Sequence, residues 1–259
     1  MLVVTWNVNS LKAREAFLAE FLDRVRPDVF ALQELKLEDA AVPVSMFTQR
    51  GYEVVFTGQK AYNGVLLGSR TPITDVHRGF PGDGGDARLI AGTTNGVRFV
   101  CLYCPQGQSA TSPKFVFKLD FYEQLRAWVA KLDLTSPIVL LGDMNIAPGP
   151  EDIWDPFGMD GETGYHPLEH DEWRKLMALG LHDAVRPHVP AGTYSYWDYR
   201  AGSFHKGQGM RIDHVLVTAP LVGRVASAWI DRNERKKKGD LAPSDHAPVG
   251  VILRDEPLP

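Results

Sequence analysis

Residues 138–148 read IVLLGDMNIAP. Four apolar residues, Ile138 to Leu141, run straight into Gly142, Asp143, Met144 and Asn145. A short apolar run closed by turn residues has the signature of a buried strand. Its exit sets an acid and an amide two positions apart. Groups at the ends of buried strands sit on a rigid scaffold beside water, which suits chemistry.

The same pattern recurs. LVVTWNVNS (residues 2–10) closes on Asn7 and Asn9, and DVFALQELK (residues 28–36) closes on Gln33 and Glu34. In the opposite sense, MRIDHVLV opens a strand with Asp213, and APSDHAPVGVIL opens one with Asp245 and His246. If the last two strands run antiparallel to the first three, all five ends meet on one rim. Carboxylates and amides without thiolates suit a hard cation, Mg²⁺ or Mn²⁺. Such an ion takes one or two carboxylates and leaves room for phosphate oxygens. His246 beside Asp245 adds a group that can carry a proton near that phosphate. Together these describe metal-assisted phosphodiester hydrolysis.

Working outward, strand-like runs dominate: 2–8, 28–33, 53–56, 64–67, 89–93, 98–103, 138–143, 213–217 and 247–253, punctuated by Gly, Pro, Asn and Asp. Amphipathic spacing predicts helices over 11–25, with Phe17, Leu18, Phe21, Leu22 and Val25 on one face, and over 113–132, with Phe115, Leu119, Tyr122, Leu125 and Val129. A third is expected near 169–179. The loop-rich segment 146–170 is expected to be anchored by Trp154 and Phe157. Several strands follow one another without a helix between them. That favours two packed sheets with helices outside over a doubly wound parallel sheet. No boundary interrupts the pattern, so residues 1–259 read as one domain.

The 259 residues are 44% hydrophobic and 23% charged, with a formal charge of −4. This gives no global basic signature, so nucleic-acid binding would need local basic patches. The largest basic run is RKKKG at 235–239. The N-terminus has no secretory signal pattern and no window reaches the ~20 apolar residues of a membrane span. A cytoplasmic setting beside the nucleoid, with no membrane partner, is the expectation. Cys101 and Cys104, in CLYCPQG, lie three apart on a strand and should face opposite ways, which argues for packing rather than a redox pair or zinc site.

Eight segments, TWNVNSLKAR, LQELK, YNGV, YCPQG, LLGDMNIAP, TYSYWDYRAGSF, MRIDHVL and PSDHAPV, resemble the exonuclease III family of apurinic/apyrimidinic endonucleases. That family sits within the endonuclease/exonuclease/phosphatase superfamily, related to deoxyribonuclease I. The motifs span residues 5–250 in family order. GDMN and SDH mark only the superfamily; YSYWDYR and YCPQG point to the DNA-repair branch. The resemblance implies a four-layered α/β sandwich with two mixed β-sheets flanked by helices.

It also implies roles. Glu34 becomes the main metal carboxylate, with Asn7 and Asp245 contributing directly or through water. Asp143 positions or deprotonates the attacking water, and Asn145 orients that water or the phosphate. Asp213 pairs with His246, which contacts the scissile phosphate, and Tyr103 donates toward the phosphate or leaving group. The implied activities are Mg²⁺-dependent cleavage of duplex DNA 5' to an abasic site, 3'-5' exonuclease action and removal of 3' blocking groups, by a monomer. Tyr196, Met210 and Ile212, with Trp197 behind, match the abasic-sugar pocket, where relatives often carry a larger aromatic at 196 or 210. Lys12, Arg14, Lys60, Tyr62, Asn63, Gln106, Gln108 and Lys206 match backbone contacts, and the RNERKKKGDLAP loop, more basic than relatives would suggest, is a candidate for a further duplex contact.

Two rivals remain. HPLEH at 166–170 matches a zinc-peptidase pattern, but Pro167 makes His166 a helix cap instead. A superfamily phosphatase acting on a non-nucleic phosphoester shares Glu34, Asp143, Asn145, Asp213 and His246, yet has no need of YSYWDYR or YCPQG.

Overall fold

The computed structural model describes residues 1–256. Among them, twelve strands form two six-stranded sheets. In chain order the strands are β1 (Leu2–Asn7), β2 (Val29–Gln33), β3 (Glu53–Thr57), β4 (Val65–Ser69), β5 (Thr74–Arg78), β6 (Leu89–Thr94), β7 (Val97–Tyr103), β8 (Ile138–Asp143), β9 (Leu181–Asp183), β10 (Asp213–Thr218), β11 (Val225–Ile230) and β12 (Val249–Leu253). The helices are α1 (Leu11–Val25), α2 (Val44–Thr48), α3 (Pro113–Val129), α4 (Pro167–Met177), α5 (Ser203–Lys206) and α6 (Ala219–Val222).

One sheet runs β11-β12-β1-β2-β4-β3 and the other β5-β6-β7-β8-β10-β9. Both are mixed: β1–β2 and β7–β8 pair parallel, while β1–β12 and β8–β10 pair antiparallel. The expected antiparallel sense of the last two strands is thus present. Side chains alternate across each strand. Val3, Val29, Ala31, Phe99, Cys101, Val139, Leu141, Val215 and Val251 form the core between the sheets. Val4, Trp6, Phe30 and Leu32 face the other way, against Phe17, Phe21 and Leu22 of α1. Leu140, Ile138 and Leu216 meet Phe121, Tyr122 and Leu125 of α3 and Trp173 and Leu176 of α4. Helix, sheet, sheet and helix therefore stack as four layers.

That alternation decides which polar groups meet. Extending the inward set by two residues per step leads from Val3 through Thr5 to Asn7, from Phe99 through Cys101 to Tyr103, from Val139 through Leu141 to Asp143, and from Val217 through Val215 to Asp213. The polar ends thus project into the mouth of the inter-sheet gap. Tyr103, Asp143 and Asp213 are Cα partners across β7, β8 and β10, one residue per strand in a single row.

Helix 11–25 forms as read, capped by the Ser10 side chain accepting from Ala13 N. The 113–132 helix ends at Val129, and the third helix begins earlier than expected, at Pro167. Strands β5, β9 and β11 and helix α2 had not been anticipated. The expected anchoring of segment 146–170 by two aromatics is wrong: Phe157 is 93% exposed and Trp154 41%. Buried Ile153 and Tyr165 hold that segment instead. Cys101 lies in the inter-sheet core and Cys104 in the layer against α3, both as free thiols, so they do face opposite ways.

Candidate active site

Asp143 is the last residue of β8, and the glycine before it packs directly against β7. Gly142 has φ +144°, and a Cβ there would lie 1.9 Å from the Leu102 carbonyl oxygen. Only glycine fits that approach. After Asp143 the chain turns through Asn145 in the left-handed region, φ 52°. The Asp143 carboxylate caps this turn, its Oδ1 accepting from Asn145 N at 3.0 Å.

Asn7 joins the two sheets. Its Nδ2 donates to Glu34 Oε1 and to Asp143 Oδ2, each at 2.8 Å. Its Oδ1 accepts from Asn9 N at 2.9 Å, which fixes the amide orientation because a backbone N–H can only donate. The side chain therefore presents a donor, not a ligand oxygen, to the carboxylates. Glu34 sits at φ 54° immediately after β2. Its Oε2 lies 2.8 Å from Lys36 Nζ. Burial would raise the Glu34 carboxyl, but Asn7 and Lys36 outweigh it and hold the group below 4.5.

On the other side, His246 Nδ1 meets Asp213 Oδ2 at 2.8 Å, and its Nε2 lies 3.7 Å from Asp143 Oδ2. Burial alone would lower the imidazole, but Asp213 and Asp143 outweigh it and raise it to about 10. Burial pushes Asp143 up to about 7, with His246 pulling down and Asp213 pushing up. His246 is thus a cation at neutral pH, beside a carboxylate that can accept a proton there. Its loop is tied to β1 through Ser244 Oγ donating to Asn7 O at 2.7 Å and Trp6 Nε1 donating to His246 O at 2.9 Å.

Tyr103 completes the row. Burial, Glu34 and Asp143 all raise its phenol well above 10, so it remains a donor. Arg88 lies 5.0 Å over its ring and donates to its carbonyl at 3.3 Å. Asn145 Nδ2 donates to Cys104 O at 2.9 Å. Its Oδ1 has no protein partner among the described residues, so an acceptor is left for an incoming group.

Glu34, Tyr103, Asp143, Asn145 and His246 line a cleft of about 170 Å³ with Gln106, Thr163, Gly164, Tyr196, Met210, Ile212 and Asp245. The Tyr196 ring lies 4.9 Å from that of His246, and Tyr196, Met210 and Ile212 pack with Ile153 and Tyr165 into an apolar wall. Trp197 lies behind this wall, buried against Phe204 and Tyr194.

The oxygen-rich donor set fits a hard cation on the Glu34 side. Asp245 accepts from Asn9 Nδ2 through Oδ1 at 3.0 Å, leaving Oδ2 without a protein partner among the described residues. Lys36 already places a positive charge against Glu34. Asp143, Asp213 and His246 also cluster within 4.8 Å. In that trio the two acids hold the imidazole proton, so a metal bound there would have to displace it.

The expected backbone contacts divide. Gln106 lines the cleft, and Lys60, Tyr62, Gln108 and Lys206 are exposed. Asn63 is buried, and its Nδ2 donates to Gln59 Oε1 at 2.8 Å, so it holds its own loop. Arg14 turns inward to Asn9 O at 2.8 Å and Tyr199 Oη at 2.7 Å. Lys12 lies on the outer face of α1, in a groove with Glu15 and Arg50.

Several supporting residues escaped the sequence reading. Lys118 and Glu169, each 0% exposed, form an ion pair at 2.5 Å. Lys118 Nζ also donates to Asn145 O at 2.7 Å and Gln106 O at 3.3 Å. Glu169 Oε2 accepts from Gly164 N at 2.7 Å and His166 N at 3.1 Å. One buried pair therefore fixes three cleft loops. The signal was available: Phe115, Lys118, Tyr122, Leu125 and Val129 follow 3-4-3-4 spacing, which puts the lysine in the apolar stripe. HPLEH is a capping box, with His166 Nδ1 accepting from Leu168 N at 3.1 Å, and no zinc pair. Below it, Arg211 bridges Asp152 at 2.7 Å and Asp183 at 2.8 Å and donates to His214 Nδ1 at 3.0 Å.

Known proteins match this architecture throughout. The model of the Endonuclease/Exonuclease/phosphatase family matches residues 4–246. An exodeoxyribonuclease III of Haemophilus influenzae is 35% identical over 96% of this chain and 98% of its own length. A 3' phosphatase from Neisseria, solved with a product DNA hairpin, superposes with TM-score 0.93 at 36% identity, covering 98% of this chain and 99% of that one. An AP endonuclease from Archaeoglobus fulgidus gives TM-score 0.91 at 32% identity, covering 98% and 99%. The match runs from β1, which carries Asn7, to His246 on the far wall of the cleft, and the chain belongs to the endonuclease/exonuclease/phosphatase family, among the relatives of exodeoxyribonuclease III.

Proposed function

We propose that the protein is a divalent-metal-dependent DNA-repair nuclease that cleaves the phosphodiester 5' to an abasic sugar in duplex DNA. The same site trims 3' ends, by 3'-5' exonuclease and 3'-phosphatase action. The observation that carries this reading is the bridge made by Asn7, which holds Glu34 and Asp143 at 2.8 Å each while His246 stands 3.7 Å beyond. Acids from both sheets thus face one phosphate-sized space with a cation beside them.

Glu34 and Asp245 would hold Mg²⁺ or Mn²⁺, which supplies charge neutralisation at the phosphate oxygens. Asp143 takes the proton from the attacking water, a role suited to a carboxyl raised to about 7. Asn145 Oδ1 orients that water. His246, held protonated by Asp213, offers Nε2–H to a phosphate oxygen as charge builds. Tyr103 donates from the opposite side. The products are a 3'-hydroxyl and a 5'-deoxyribose phosphate.

Tyr196, Met210 and Ile212 give the sugar an apolar wall. A nucleotide without its base loses less stacking on leaving the duplex, so this small cleft favours it. Gln106 and the exposed Lys60, Tyr62, Gln108 and Lys206 position the backbone without reading sequence. We read the chain as one catalytic unit, working as a monomer in the cytoplasm beside the chromosome.

The test is incision of a duplex carrying one abasic analogue, with Mg²⁺ and with chelator. Chelator should abolish cutting. Asp143→Asn should lose about 10³-fold in incision and end trimming together, within the range for a lost proton acceptor. Tyr196→Ala should lose lesion preference more than exonuclease activity. Cutting that survives chelation, or Asp143→Asn that retains one activity, would overturn the shared site; equal losses in Tyr196→Ala would remove the pocket assignment alone.

A further inference from the structure

Arg235 is a buried cation without an acid. It is 7% exposed, yet no carboxylate among the described residues comes within ion-pair distance. Its Nε has no hydrogen-bond partner, and one Nη reaches the Trp197 carbonyl at 3.2 Å. The other buried cations are handled differently. Lys118 pairs with Glu169, and Arg211 with Asp152 and Asp183. A buried charge left unpaired is costly. Burial accordingly lowers the Arg235 pKa.

Arg235 opens onto a cleft of about 380 Å³ between segments 198–205 and 235–243, separate from the catalytic one. Lys236 and Lys237 lie on its lip, and Tyr199 and Phe204 form its walls. The guanidinium sits 4.7 Å from the Tyr199 ring and 5.2 Å from that of Phe204, so its edge is held in place. The acid in the lining, Asp198, is engaged by Arg200 at 2.8 Å. The cleft adjoins the catalytic rim: Trp197 N donates to Asp245 O at 3.0 Å, and Arg14 ties Tyr199 to Asn9.

We propose that this cleft is a second phosphate subsite, which grips a backbone phosphodiester of the DNA strand away from the bond being cut. The inference rests on the nuclease reading. Arg235 supplies a fixed fork for two phosphate oxygens, and Lys236 and Lys237 add mobile charge at the entrance. The exposed face of Tyr199 gives the adjoining sugar or base a flat surface.

Duplex DNA binding, measured by anisotropy in chelator over a series of salt concentrations, tests the subsite. Arg235→Met should weaken binding roughly tenfold at 0.1 M salt and reduce the slope of log Kd against log salt by about one. Arg235→Lys should restore the slope. Because Arg235 is buried, the exposed pair Lys236→Ser with Lys237→Ser is a second probe that leaves the core intact, and its slope should fall by one to two. Unchanged slopes in that pair and in whichever Arg235 variants keep the wild-type melting temperature would overturn the proposal. So would inorganic phosphate raising the melting temperature through Arg235 while the DNA slopes stay fixed, since the cleft would then hold free phosphate rather than a strand. A wild-type protein that neither binds nor cuts DNA would instead sink the nuclease reading itself.

Discussion

His214 faces away from the catalytic gap, and its surroundings fix its proton. Arg211 can only donate, so Nδ1 must accept; Nε2 then donates to the Ile146 carbonyl at 2.8 Å. The ring is therefore neutral, and burial with Arg211 lowers its pKa from 6.5 to about 4. The unfolded chain binds this proton and the folded one does not. The contribution is complete above 6.5, falls as pH drops from 6.5 to 4, and is constant below that. The loss amounts to about 3 kcal/mol. Urea unfolding at pH 7.5 and pH 4.5 reads this by difference: acidification should cost the wild type about 3 kcal/mol more than it costs His214→Gln, because Asp143 and His246 contribute equally to both. Because Ile146 follows Asn145, acid should also loosen the catalytic turn. At Glu34, Mg²⁺ should raise the melting temperature by mass action, as for any ligand of the folded state. Glu34→Gln should lose most of that rise in a thermal scan run with and without the ion; a full rise would place the ion elsewhere.

The elements explain both what could be read beforehand and what could not. Helix α1 was legible to the residue because Ser10 caps it and its buried face repeats at helical spacing. Strand β8 was legible because Pro137 and Gly142 bound its four apolar residues, a run too short for a helix. Strand β5, TDVHR, is mostly exposed at a sheet edge, and β9 has three residues, so neither carries a pattern long enough to detect. Strand β11 is half-buried along its whole length, which removes the alternation. The site's acids were visible at strand ends, but their supports were not: Lys118 belongs to a helix whose partner acid lies on another helix, and only the packing of α3 on α4 joins them. Lys118→Met should destabilise the fold by about 3–5 kcal/mol, because it leaves Glu169 buried and uncompensated. Pairing it with Glu169→Gln, which keeps an acceptor for Gly164 and His166, should recover part of that loss. Denaturant midpoints give both numbers, and a double variant no better than the single would show that the charge is not what matters. Gly142→Ala should fail to fold or lose more than about 3 kcal/mol, since the β7–β8 ladder has no room for a methyl group.

At the scale of the molecule, the cleft is a product of the whole sandwich. Asn7 comes from one sheet and Asp143 from the other, and Tyr103, Asp143 and Asp213 hold one row only if three strands share a register. A slip of one residue would turn an acid toward the helices. Refolding should therefore show activity returning together with the last phase of tryptophan fluorescence, with no partly active intermediate; activity that precedes it would mean that the row assembles before the sandwich closes. Strand β12 lies between β11 and β1, and His246 enters the cleft on the loop just ahead of it. A polypeptide still emerging from the ribosome has Asn7, Glu34 and Asp143 long before it has the imidazole or the strand that seats it. A chain cut ahead of residue 246 therefore loses the imidazole and the strand that seats it together, and such a fragment should show neither DNA incision nor a cooperative unfolding transition.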